Sequence, residues 1–284
     1  MFKFKLIVFS IFLLLTRSIC CEGDVMIIAH RGASGYMPEN TASSFKKAIE
    51  MNVEAVEFDV YKCKSGDLVV MHDANVDRTT NGKGLVKAKT LKELKALDVN
   101  GGGKIPTFSE VLDTLDAKTK IVIDIKEEAV AAELAKIINS YVENKGWKQE
   151  QFYATGFQHE ELKRLATLVP FVKLIPSVIC IPYKMANFAE EMGAYGVCLV
   201  NVENCFSESL AKDVKARGLK LWVWSPSENI ETVTKLYQLG VDAIMVDYPD
   251  VVKELWLETM KQDKIKREQF ALRNANHKGI NENR

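Results

Sequence analysis

Several absences narrow what this chain can be. It has no net charge, with 38 basic and 38 acidic side chains among 284 residues, so no global field draws it to nucleic acid or to an anionic membrane surface. It lacks a Gly-x-Gly-x-x-Gly after its first strand-like run, residues 25–29, which argues against a dinucleotide site. Its cysteines follow no zinc-ligand spacing, and a disulfide framework is not expected in a domain this large. Cys198 and Cys205 could bridge, but two unpaired core thiols are the preferred reading. Histidine is scarce, with four in the chain. Where those four fall is therefore informative.

One apolar run stands apart. Residues 6–15 are almost unbroken in hydrophobicity, preceded by Lys3 and Lys5 and followed by a small-residue exit from Ser18 to Cys21. This is the pattern of an export signal over residues 1–21, too short to span a bilayer comfortably. The Cys20, Cys21 pair offers a bacterial lipidation site as an alternative, although the preceding Leu15-Thr16-Arg17-Ser18-Ile19 fits a small-residue lipobox poorly. The expectation is an exported protein, periplasmic or secreted, with a lipid anchor as the variant and no membrane span in the mature chain.

The remainder alternates strand and helix patterns. Strands are predicted at 25–29, 55–60, 120–125, 151–155, 171–175, 196–200, 219–224 and 243–246, with helices at 106–115, 128–142, 160–168, 183–192, 207–217, 228–239 and 249–260, and one opened by Asn40 or Thr41. Eight strand-then-helix units with short connections predict a TIM-type (β/α)₈ barrel, a fold that occupies about 250 residues. Residues 61–104 interrupt the alternation with turn glycines, an extended run at 68–71 and a short helix at 91–97, so they read as a small insertion between strand 2 and its following helix. The barrel is expected over 22–260, and the polar tail, 261–284, as a fraying helix that runs into disorder.

Unusual polar residues gather at the C-terminal ends of the predicted strands, the face on which barrels of this type place their active sites. His30 and Arg31 follow strand 1, Glu57 and Asp59 end strand 2, Asp124 and Lys126 end strand 3, and Trp224 and Asp247 end the last two. Glu57 and Asp59 are two apart, so both side chains leave a strand on the same side. With Asp124 they form an all-oxygen set suited to one Ca²⁺ or Mg²⁺ and poorly suited to zinc. His30 and His72 are the candidate catalytic acid and base, since imidazole titrates near neutral pH. Arg31 and Lys126 can neutralise a phosphodiester, Glu39 can meet a substrate hydroxyl, and Trp224 can form an apolar wall. His159 and His277 have no such company and read as surface residues.

These residues lie in a series of motifs: His30-Arg31-Gly32, Pro38-Glu39-Asn40-Thr41, Glu57-Phe58-Asp59-Val60, Gly66 to Val70, His72-Asp73, Asp77-Arg78-Thr79-Thr80-Asn81-Gly82, Ile105-Pro106-Thr107 and Asp247-Tyr248-Pro249. In that order they resemble the glycerophosphodiester phosphodiesterase family. The resemblance implies a TIM-type barrel, a divalent cation, and hydrolysis of glycerophosphodiesters to sn-glycerol 3-phosphate and an alcohol. It also places catalytic histidines on His30 and His72 and metal ligands on Glu57, Asp59 and Asp124. The chain departs from the pattern at Asp124, where Glu is usual, and at Trp224-Ser225-Pro226-Ser227, where Trp-Thr-Val-Asn is frequent. The nucleophile is water or the substrate's own 2-hydroxyl. Rival readings are a glycosidase built on Glu57 and Asp59, a non-catalytic exported glycerophosphodiester-binding protein, and a lysophospholipase D-like enzyme, for which no long apolar loop speaks.

Overall fold

The computed structural model describes residues 25–180, 184, 186–200, 208–224 and 227–281. The signal expected at 1–21, Cys205 and the Ser225-Pro226 pair lie outside the described residues, as does part of the helix expected at 183–192. Among the described residues, no helix is long and apolar enough to cross a membrane.

Eight parallel strands among the described residues close on themselves. They are β1 (Met26–Ala29), β2 (Ala55–Lys62), β4 (Lys120–Ile125), β5 (Phe152–Gly156), β6 (Lys173–Val178), β7 (Gly196–Val200), β8 (Lys220–Trp224) and β9 (Ala243–Val246). Neighbours pair in that order, and closure comes from β1, which pairs with β2 on one side and with β9 on the other. The ninth strand, β3 (Leu68–Val70), runs antiparallel along the upper end of β2. The helices α1 (Ala42–Glu50), α3 (Phe108–Leu115), α4 (Ala131–Asn144), α5 (His159–Leu168), α6 (Asn187–Glu191), α7 (Glu208–Ala216), α8 (Ile230–Leu239) and α9 (Pro249–Asn281) follow the barrel strands in turn.

The period-2 alternation of each strand sorts its residues into two cores. Val56, Phe58, Ile121 and Ile123 face outward into the apolar layer beneath the helices, with Phe45, Phe108 and Leu112. Ile28, Ala55, Val122, Tyr153, Ile175, Cys198 and Trp222 fill the barrel interior. The next inward positions up the strands are His30, Glu57, Asp124, Thr155, Ser177, Val200 and Trp224, and these line the cavity at the barrel mouth. The site is thus the polar top layer of a packed barrel.

The insertion folds as a compact arm over residues 63–107, containing β3 and the short helix α2 (Leu91–Ala96). Val69, Val76, Val86, Leu94, Val99 and Ile105 form its own small core. Capping boxes at Thr41, Thr90 and Thr107 start α1, α2 and α3, and each satisfies backbone N–H groups the first helical turn leaves open.

Several expected boundaries shift for identifiable reasons. Helix α4 begins at Ala131 rather than 128, because Ala129 has a left-handed φ of +64° that cannot start a right-handed turn. Strand β6 runs through Pro176 instead of stopping before it; pairing to β7 begins only at Ser177, so no ladder bond to β7 is lost at the proline. Helix α6 starts at Asn187. The tail continues α9 as helix to Asn281. No Pro or Gly interrupts residues 250–278, and pairs such as Arg267 with Asp263 support the exposed turns. His159 is not a bare surface residue: its ring stacks on Phe188 at 5.5 Å and its Nε2 donates to the Ser177 carbonyl at 3.0 Å. The side chain of His277 lies outside the described residues. Cys198 is a free, buried thiol, which burial pushes up to about 12, so it is inert at neutral pH.

Candidate active site

The His-Arg-Gly turn at the top of β1 starts the site. His30 N–H still donates to the Val246 carbonyl at 2.9 Å, extending the β1–β9 ladder by one residue. Arg31 then turns into the left-handed region, φ +54°, which aims its backbone N–H at Glu57 Oε2, 2.8 Å away. Such a conformation in a non-glycine residue costs about 1–3 kcal/mol and persists where surrounding contacts hold it. Gly32 is at φ +76°, and a Cβ there would lie 2.4 Å from Ser44 Oγ and 2.7 Å from the Ser44 carbonyl carbon. We expect Gly32→Ala to destabilise the fold by about 2 kcal/mol or more and to lower activity with it; chemical denaturation measures the first effect.

His72 reaches the site by strand pairing. β2 extends past the barrel rim, and β3 folds back on it with Val60 opposite Val70. Met71 N–H consequently donates to the Asp59 carbonyl at 3.0 Å. His72, the next residue, joins His30, Arg31, Glu57, Asp124, Lys126 and Trp224 around one cavity. Both histidines are oriented in the same way, His30 Nδ1 on Asp247 at 2.7 Å and His72 Nδ1 on Asp73 at 2.7 Å. An ionised carboxylate only accepts, so each Nδ1 carries the hydrogen and each Nε2 remains for proton transfer. The hydrogen bond from His30 holds the Asp247 carboxyl below its usual range against the opposing effect of burial. Asp73 is lowered to about 2, chiefly by its hydrogen bond from Arg78.

Glu57, Asp59 and Asp124 each present a carboxylate oxygen within 4.8 Å of the others. Register explains this: Glu57 and Asp59 share the inward face of β2, and Asp124 is the direct partner of Asp59 on β4. Burial and then repulsion from Asp59 and Asp124 raise Glu57 well above the carboxylate range. Burial also raises Asp124. Asp59 is buried too, yet Lys126 and Arg31 outweigh that and keep its carboxyl low. Lys126 Nζ bridges Asp59 at 2.8 Å and Asp124 at 2.6 Å, and Asn40 Nδ2 donates to Asp59 at 2.7 Å. Asp124 Oδ1 is buried with no hydrogen-bond partner among the described residues. Three clustered carboxylates in excess of local cations, one with an orphaned oxygen, fit a hard divalent cation.

Of the candidate site residues and strand-end residues singled out in the sequence, His30, Arg31, Glu57, His72, Asp124, Lys126 and Trp224 line this cavity, while Asp59, Glu39 and Asp247 do not. Asp59, one inward position further up β2 than Glu57, is held by Lys126 and Asn40. Glu39 stands outside, with both carboxylate oxygens engaged: Arg31 Nη1 is 3.1 Å from Oε1, and Arg78 donates to both oxygens at 2.8 Å. Trp224 packs its ring against His30 at 5.1 Å, whereas Trp222 is core. Gly156 was not foreseen: at φ +130°, a Cβ there would stand 2.7 Å from Asp124 Oδ1, so only glycine leaves that carboxylate its place. Thr155 and Ser177, linked at 2.9 Å, also went unnoticed, since lone hydroxyls on strands carry no sequence signal.

Comparison with known proteins agrees with this geometry. Residues 30–251 match the Glycerophosphoryl diester phosphodiesterase family. A glycerophosphodiester phosphodiesterase of Caldanaerobacter subterraneus subsp. tengcongensis is 34% identical over 243 residues, 81% of this chain and 97% of its own. One from Bacillus subtilis strain 168 is 31% identical over 255 residues, 80% of this chain and 85% of its own. Among solved structures, an Oleispira antarctica phosphodiesterase in complex with the product sn-glycerol-3-phosphate has a TM-score of 0.73 at 28% identity, covering 81% of this chain and 96% of that one. A match that opens at His30 and runs past Asp247 takes in both ends of the hydrogen bond that orients the first histidine, and this chain belongs to the glycerophosphoryl diester phosphodiesterase family.

Proposed function

We propose that the protein hydrolyses glycerophosphodiesters to sn-glycerol 3-phosphate and an alcohol, with His30 and His72 as the acid and base pair. The observation that carries this is the pairing of two carboxylate-oriented histidines with an acidic triad around one cavity. Glu57, Asp59 and Asp124 would hold one Ca²⁺ or Mg²⁺, which when bound supplies charge stabilisation at the phosphoryl oxygens. Arg31 and Lys126 stand at the same wall, where their charge favours an anionic diester. One histidine takes the proton of the attacking hydroxyl at Nε2, and the other delivers a proton from Nε2 to the departing alkoxide oxygen. Asp247 and Asp73 hold the two rings in the tautomer this requires. Trp224, Val200 and Met245 line the cavity as well and give the leaving alcohol an apolar wall.

The two carboxylate-oriented histidines speak against a glycosidase, whose two-carboxylate chemistry gives them no part. The basic, apolar and small-residue order of residues 3–21 supports action outside the cytoplasm, as a periplasmic, secreted or lipid-anchored enzyme. The test is incubation with glycerophosphocholine and glycerophosphoethanolamine while glycerol 3-phosphate release is followed with Ca²⁺, with Mg²⁺ and with a chelator. Release that stops on chelation and returns with one cation is the expected result. Metal-independent turnover of a glycoside, or tight binding of the diester without turnover, would overturn the reading.

A further inference from the structure

We propose that Arg78 is a positioning residue for His72, clipping the inserted arm to the loop after β1; this rests on the reading of His72 as a proton-transferring group. The arm's backbone pairing with the barrel is confined to its base; elsewhere it is held by side-chain contacts such as Lys95 with Glu110 on α3. The β2–β3 ladder ends at Val70 opposite Val60, and the last backbone bond from the arm to β2 is Met71 N–H to the Asp59 carbonyl. His72 and Asp73 lie beyond that support. Asp73 sets the His72 ring through Nδ1, so whatever fixes Asp73 fixes the ring.

Arg78 is the group that grips it. Its Nε donates to Asp73 Oδ2 at 2.7 Å and its Nη2 to Asp73 Oδ1 at 3.1 Å. The far edge of the same guanidinium forks onto Glu39, Nη1 to Oε2 and Nη2 to Oε1, both at 2.8 Å. Two bidentate contacts on one planar group use a geometry that lysine cannot reproduce. The platform beneath is firm: Asn100 Nδ2 donates to the Arg78 carbonyl at 3.1 Å, and Asn100 N–H donates to the Thr79 carbonyl at 2.8 Å. Glu39 is in turn shared with Arg31, so charges run unbroken from Arg31 on the barrel through Glu39, Arg78 and Asp73 to His72 on the arm. Arg78 does not line the catalytic cavity. It acts on the reaction through Asp73 and His72.

The experiment compares Arg78→Ala, Arg78→Lys, Asp73→Asn, the Arg78→Ala/Asp73→Asn double variant and His72→Gln, using full-length protein and glycerophosphocholine. We expect Arg78→Ala to lower kcat about 10–100-fold, the range for groups that orient a working histidine, while KM stays within about threefold of the wild type. Arg78→Lys should fall between the two, and millimolar guanidinium ion should restore part of the Arg78→Ala rate. In the double variant the losses should not add, because both substitutions act through one ring. Wild-type kcat in Arg78→Ala, additive losses, or a rate that falls only in proportion to the folded fraction seen by circular dichroism would each overturn the proposal. The His72→Gln arm separates the two readings: an active His72→Gln enzyme sinks the role of His72 itself, whereas an inactive one beside a fully active Arg78→Ala sinks the clip alone.

Discussion

Glutamine in place of His72 or His30 lowers the turnover of glycerophosphocholine by about 10²–10⁴-fold, the contribution a placed general acid or base makes. Glutamine keeps the volume and one polar end of the side chain but cannot exchange a proton near neutral pH. Both positions should therefore retain fold while losing chemistry. His30 is buried, and its Nδ1 hydrogen bond to Asp247 spans 217 residues of sequence, so its variant is the one to check for stability by thermal unfolding. His72 sits on the arm, half-buried, and its replacement should leave the melting temperature within a degree or two. KM should change little in either variant, because on the proposed reading Arg31 and Lys126, not the histidines, supply the charge that binds the diester. Near-wild-type turnover in both variants would remove the acid and base assignment.

Glu57→Gln removes the cation response of the protein altogether. The wild-type triad concentrates three carboxylates around one point, and Glu57 is the one that burial and its neighbours most oppose as an anion. A divalent cation that binds only the folded state at 100 times its dissociation constant stabilises it by about 2.7 kcal/mol. For a chain of this size that is a Tm rise of roughly 5 °C. Differential scanning calorimetry with Ca²⁺, Mg²⁺ and chelator should show that rise in the wild type and its loss in Glu57→Gln. Activity of the variant should fall by about 10²-fold or more, since cation charge stabilisation is worth several kcal/mol. A wild-type melting temperature that does not respond to any divalent cation would remove the metal assignment, whatever the variant does.

The two results address different halves of the cavity, and both halves depend on the same rim of the barrel. Strands that were expected to end near residues 60 and 125 do so within two residues, and the acidic and cationic residues appear at those ends. Local periodicity was sufficient there, because alternation along a strand and amphipathic spacing along a helix are short-range consequences of backbone geometry. The same rule missed Gly156 and the Thr155–Ser177 pair, because their meaning comes only from what stands across the barrel. Nor does it carry the two arginines that the fold brings to Glu39, the residue put forward for a substrate hydroxyl.

By itself, then, the order of residues determined the repeating strand and helix units, the insertion after β2, and the cast of histidines, carboxylates and cations that the chemistry draws on. Each is legible because it depends on neighbours a few residues away or on residue type alone. Only the tertiary structure decided which of them act together. Asp247 reaches His30 because β9 closes on β1, Asp124 meets Asp59 because β4 pairs with β2 in that register, and Arg78 meets Glu39 because the arm folds back over the first loop. Those contacts join residues up to 217 positions apart. Their partners are selected by barrel closure and strand register, which no local pattern contains.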